Sequence, residues 1–83
     1  VLIHEAAGSP ESESVDMRYL HSRPQDAARV AMGASVSTLA LVHYAASQAA
    51  AVLSKAKQVF PNTRLARKGQ RLRVLGPGQA AWL

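Results

Sequence analysis

The chain has 83 residues, with ten lysines and arginines against five acids and no cysteine. That length holds one domain at most and buries only a modest share of its surface unaided. The missing thiols exclude disulfides, thiolate zinc clusters and cysteine nucleophiles. The charge is uneven: residues 1–53 carry all five acids with three arginines, whereas residues 54–83 carry seven basic residues and no acid.

The first 22 residues read as an irregular acidic extension. The chain starts at Val1 rather than methionine, as a processed or trimmed product does, and "VLIHEAAG" is too short an apolar run, without a basic flank, for a signal peptide. The Gly8-Ser9-Pro10-Glu11 cluster is loop chemistry. After it, Val15, Arg18 and Tyr19 share a face and predict a turn or two of helix.

A longer helix is predicted from Arg23. Ser22 and Gln25 have capping-box spacing, Pro24 is tolerated in a first turn, and Asp26 suits a helix N-terminus. Nothing stops the helix before Phe60, which Pro61 biases out of helical geometry; Gly33 is the one weak point. A helix over residues 23–60 is about 55 Å long at 1.5 Å per residue.

Inside it, Val30 to Leu53 carries no charged side chain. A bilayer core of about 30 Å needs roughly 20 such residues, so 30–53 is predicted to be a single transmembrane span. Its hydrophobicity is weak, being mostly alanine with His43 and Gln48. Gly33, Ser37, Ala40, Tyr44, Ser47 and Ala51 recur at intervals of about three and four, the helical period, and predict a small-residue face packed against larger membrane subunits. The same small residues would also suit a close-packed helix in an assembly without lipid. The positive-inside rule places the basic end, from Lys55 and Lys57 onward, on the matrix or stromal side.

Residues 61–83 are expected to form a basic, extended tail. Arg71 to Val74 alternates polar and apolar, and Gly76-Pro77-Gly78 is a turn. Arg64, Arg67, Lys68, Arg71 and Arg73 are candidates for contact with anionic lipid, a partner or RNA, with Trp82 as an interfacial or partner anchor. The tail lacks interleaved aromatics and any RNA-recognition signature.

His4, His21 and His43 show no metal-ligand spacing with one another. His43, in the middle of the predicted span, is the one candidate cofactor ligand, axial to a chlorophyll magnesium or a haem iron. A lone histidine there more often hydrogen-bonds a neighbouring helix. No nucleophile elbow, metal cluster or paired carboxylates suggest catalysis.

These features together predict a mostly α protein with one long helix. Its expected role is that of a non-catalytic, single-span accessory subunit of an organellar energy-converting complex: a respiratory complex, an ATP synthase or a photosystem. The expected location is the mitochondrial inner membrane or the thylakoid, with no cofactor of its own. The alternative is a basic structural protein of a ribonucleoprotein, such as an organellar ribosome, with its tail on rRNA. A pigment-binding subunit using His43 is a third reading.

Overall fold

The computed structural model describes residues 1–13 and 20–83. The helical turn expected around Val15, Arg18 and Tyr19 lies outside the described residues. In chain order the elements are β1 (Leu2–Glu5), α1 (Pro24–Gly33), β2 (Leu39–Val42), α2 (Ala49–Val59), β3 (Thr63–Leu65), β4 (Leu72–Gly76) and β5 (Gln79–Trp82), with a single 3₁₀ turn over Ala46–Gln48 leading into α2.

This is a mixed α/β architecture, and it overturns the mostly α, single-span expectation. The two ends of the predicted helix fall where the sequence placed them, at Pro24 and just before Phe60. Its middle is not helix. Residues 30–53 hold the end of α1, all of β2, the 3₁₀ turn and the start of α2. No helix among the described residues is long and apolar enough to cross a membrane.

The physical reason lies at two places. α1 stops in a Schellman motif built without glycine at its left-handed position. Ser35 adopts φ 56°, its N–H donates to the Met32 carbonyl, and the Val36 N–H donates back to the Ala31 carbonyl. Those two bonds satisfy orphan carbonyls at the helix end. Beyond them, Leu39-Ala40-Leu41-Val42 is the central strand of a parallel sheet. Leu39 and Leu41 are fully buried and Ala40 nearly so. A central parallel strand is a continuous apolar run, so alanine-rich helix, buried strand and alanine-rich helix in succession imitate a membrane span in hydropathy.

The sheet order is β1-β2-β3, all parallel. Strand follows helix follows strand, and successive strands are neighbours, so α1 and α2 pack against each other on one face of the sheet. Ala27, Ala28 and Ala31 of α1 and Val52 and Ala56 of α2 meet Leu39 and Leu41 there, with Leu2, Val36, Phe60 and Leu65 around them. The alanines allow the two helices and the sheet to approach closely without voids. Burying each leucine contributes about 1.5–3 kcal/mol. Register places Ile3, Ala40 and Arg64 in one row of the sheet, alternating with the Leu2–Leu39–Thr63 row.

At the start of α1, Arg23 and Asp26 form the helix cap. The Asp26 carboxylate accepts from the Arg23 backbone N–H at 3.0 Å and from its guanidinium at 2.7 Å. The cap is thus shifted by one residue from the Ser22–Gln25 pair that the sequence suggests. Residues 61–83, expected as an extended tail with a turn at Gly76-Pro77-Gly78, hold paired strands. They supply β3 to the sheet, then the antiparallel β4–β5 hairpin, which turns through Pro77-Gly78 with Gly78 at φ 72°.

Candidate metal centre

In an open parallel sheet, ligands gather beyond the carboxyl ends of the strands. Glu5 is the last residue of β1 and is in register with Val42, the last residue of β2; His43 follows immediately. His21 reaches the same place from the loop before α1. Donor atoms of Glu5, His21 and His43 all lie within 4.8 Å of one another. The two imidazoles meet edge to face, with centroids 5.4 Å apart.

Glu5 is the most tightly held of the three. One carboxylate oxygen accepts the Ala7 N–H at 2.8 Å and the other accepts the Ser22 N–H. Nδ1 of His21 lies 3.4 Å from the same oxygen that Ala7 uses. Burial pushes the Glu5 carboxyl up, but the Ala7 and Ser22 N–H groups, with His21 and His4 nearby, outweigh it, and the net shift is below the usual carboxylate value. Glu5 is therefore held as an anion. Gly8 closes the same loop pair: its N–H donates to the Ser22 carbonyl at 2.9 Å, and an added Cβ would sit 2.8 Å from that backbone.

His43 is exposed and takes φ 52°, the left-handed region that a non-glycine residue enters at a cost. Strained residues of this kind gather at functional sites. Next to it, Tyr44 donates its hydroxyl to the Ala66 carbonyl at 3.0 Å, tying the loop after β2 to the loop after β3.

Two imidazoles and one carboxylate form a donor set suited to zinc, which in catalytic sites takes three protein ligands and leaves a fourth position open. Tetrahedral bonds of 2.0–2.1 Å separate donors by about 3.3 Å, so the three donors would have to draw closer than the 4.8 Å that bounds their separations to share one ion. Of the four lone-pair positions on Glu5, the Ala7 and Ser22 N–H groups occupy two.

The residues expected to form one small-residue helix face are dispersed. Gly33 ends α1, Ser37 lies in the following loop, Ala40 is in β2, Tyr44 follows β2, Ser47 is in the 3₁₀ turn and Ala51 is in α2. In the basic set, Arg64 is on β3, Arg67 and Lys68 follow it, Arg71 precedes β4 and Arg73 lies on it. The fold brings Arg64 and Trp82 together, with the guanidinium carbon 4.9 Å from the indole centroid. Glu5 and His21 were missed by the sequence reading. Their spacing to His43 means nothing until β1 and β2 pair in parallel.

No protein-family model matches the chain. Curated relatives do. The chain is 41% identical to a protein named Ribonuclease Z from Thermosynechococcus vestitus, over 80% of this chain and 18% of that protein. It is 40% identical to Ribonuclease Z from Methanopyrus kandleri, over 89% of this chain and 26% of that protein. It is 37% identical to Ribonuclease Z from Geobacillus kaustophilus, over 80% and 23% respectively. The chain thus spans about a quarter or less of the length of these relatives.

Relatives that carry the name of an RNA-cleaving enzyme overturn the expectation of a non-catalytic accessory subunit or a ribosomal structural protein. Larger membrane subunits and anionic lipids as partners fall with it. So does the mitochondrial inner membrane or thylakoid as a location, since none of the described helices can cross a bilayer.

Proposed function

We propose that this chain carries a metal-dependent site for RNA phosphodiester hydrolysis, built on Glu5, His21 and His43. The observation that carries it is the convergence of these three groups at the carboxyl ends of β1 and β2. The name shared by the relatives supports RNA as the substrate class.

A bound divalent ion would supply Lewis-acid polarisation of the phosphodiester. The chain's own residues do the rest. Glu5, whose carboxylate is placed by the Ala7 and Ser22 N–H groups, would offer one oxygen to the ion beside the rings of His21 and His43. Because Glu5 already accepts two backbone N–H groups, a second reading has Glu5 only orienting His21, with His21 moving a proton to or from the reacting group.

The test is a calorimetric titration of the full chain with Zn²⁺, paired with cleavage of an end-labelled oligoribonucleotide in Zn²⁺. The wild type is expected to bind at one site and to cleave. His43→Ala and His21→Ala are each expected to lower affinity by about tenfold or more. Glu5→Gln separates the two readings: it weakens binding severely if Glu5 is a ligand, and leaves binding nearly intact while lowering cleavage if it only orients. A wild type that binds no Zn²⁺, or histidine variants that bind as well as wild type, would overturn the metal centre. Metal binding without cleavage would overturn the hydrolytic assignment.

A further inference from the structure

Beside β3 lies an open pocket of about 400 Å³ with Leu53 and Leu65 among its lining and three cations around it: Lys57 from α2, Arg64 from β3 and Arg67 from the loop that follows. No carboxylate is among the described residues that line it, and none of the three cations forms an ion pair among the described residues. The indole of Trp82 covers the Arg64 guanidinium. Stacked in that way, a guanidinium keeps its N–H edge for an oxyanion. Gln70 braces the loop, its side-chain oxygen accepting the Arg67 N–H at 3.2 Å.

The position of the pocket matters as much as its charge. The sheet order places the carboxyl ends of β1, β2 and β3 side by side. Glu5 ends the first, His43 follows the second, and Arg67 follows the third by two residues. The Tyr44–Ala66 hydrogen bond fixes the His43 loop to the Arg67 loop. The carboxyl edge of the sheet thus runs from a histidine–carboxylate cluster to Arg67, and the pocket extends from there along β3 to Lys57 near the end of α2.

We infer that this pocket holds a backbone phosphate of the RNA strand whose neighbouring phosphodiester lies at the Glu5–His21–His43 cluster. The inference deepens the hydrolytic reading and rests on it for the identity of the strand. Lys57, Arg64 and Arg67 neutralise phosphate charge and set the register of the strand without reading its bases, which is the general role of backbone contacts. Counterion release then makes binding through the pocket dependent on salt.

The test measures binding of a labelled single-stranded oligoribonucleotide to the full chain by anisotropy, in EDTA so that no metal is held and nothing is cleaved. The salt dependence is compared between two charge-matched triple variants. Lys57→Gln with Arg64→Gln and Arg67→Gln removes the pocket; Lys68→Gln with Arg71→Gln and Arg73→Gln removes equal charge outside it. For a single strand each phosphate contact contributes about 0.7 to the slope of log affinity against log salt, so losing the one phosphate the pocket holds should lower the slope by about 0.7. The outside variant should keep the wild-type slope. Should the pocket triple variant melt early, Arg67→Gln alone is read instead, with a change of the same sign and at most about 0.7. Equal losses in the two triple variants would overturn the pocket as a site. Inorganic phosphate should displace RNA from the wild type more than an ionic-strength-matched chloride control does, and absence of that extra displacement would overturn the strand contact. Because metal and cleavage are absent from this measurement, its failure is separable from failure of the hydrolytic assignment.

Discussion

The rings of His21 and His43 meet edge to face at 5.4 Å with their planes 86° apart, and His43 reaches that position only by entering the left-handed backbone region at φ 52°. A β-carbon there costs about 1–2 kcal/mol. Glycine does not carry that cost, although it gives back part of the gain through the entropy of the unfolded chain. His43→Gly is therefore expected to be more stable than His43→Ala by about 1 kcal/mol in a denaturant melt, while both lose Zn²⁺ binding. Equal stability of the two variants would show that the backbone at residue 43 relaxes out of the left-handed region without effect.

Glu5 makes stability depend on pH, and the direction follows from its shift. Its folded pKa lies below the ordinary value of 4.5, because backbone donors outweigh the opposing effect of burial. The stabilisation is fully present above the ordinary value and is lost as pH falls through the folded one. Glu5→Gln puts an amide where two N–H donors need an acceptor, and is expected to cost about 1–3 kcal/mol at pH 7. The gap between wild type and variant should close as pH drops below about 4. A gap that stays constant down to pH 2 would mean that the loss comes from packing and not from the carboxylate's charge.

Gly8 is required by proximity and not by its own backbone angles. A Cβ at this position would lie 2.8 Å from the Ser22 carbonyl carbon and oxygen and 2.9 Å from the Arg23 nitrogen. All three are backbone atoms and cannot swing away as a flexible side chain could. Gly8→Ala should therefore push apart the loop carrying His21 and the end of β1, at a cost of about 1–3 kcal/mol. Zn²⁺ affinity should fall with it, although residue 8 is not a donor. Gly33→Ala is the control, since nothing lies within 4 Å of a Cβ there. Matching effects at the two glycines would mean that contact with Ser22 and Arg23 is not what residue 8 supplies.

Hydropathy misjudged the geometry of this chain and much of its burial, since Val30, Met32 and the stretch 45–48 are exposed. Pro24, Asp26 and the Phe60–Pro61 junction carry local chemistry that marks helix ends, and those ends are where the sequence placed them. The break between them is marked by Ser35 at φ 56° instead of a glycine, a position whose backbone no side chain announces. Leu39 to Val42 is uniformly apolar, and Leu39, Ala40 and Leu41 are buried in succession on both faces of the strand; a run of that kind carries no period to separate strand from helix. The candidate site was still less legible. Of its three members only His43 drew notice, and for the wrong surroundings. Glu5 and His21 become its neighbours through a parallel pairing that no local pattern encodes.

Ser35 offers a direct test of that hidden break. The Schellman bonds from Ser35 to Met32 and from Val36 to Ala31 hold whatever the side chain at residue 35, and Ser35 is exposed, so its hydroxyl is not part of the core. Glycine removes the left-handed cost of about 1–2 kcal/mol and returns up to roughly 1 kcal/mol through the unfolded state. Ser35→Gly is thus expected to stabilise the chain by about 0.5–1 kcal/mol, whereas Ser35→Val, β-branched and intolerant of positive φ, should destabilise it. A continuous helix through this region would rank the two oppositely, because glycine is the poorer residue in a helix interior. A denaturant melt of the pair therefore decides whether the chain turns at residue 35.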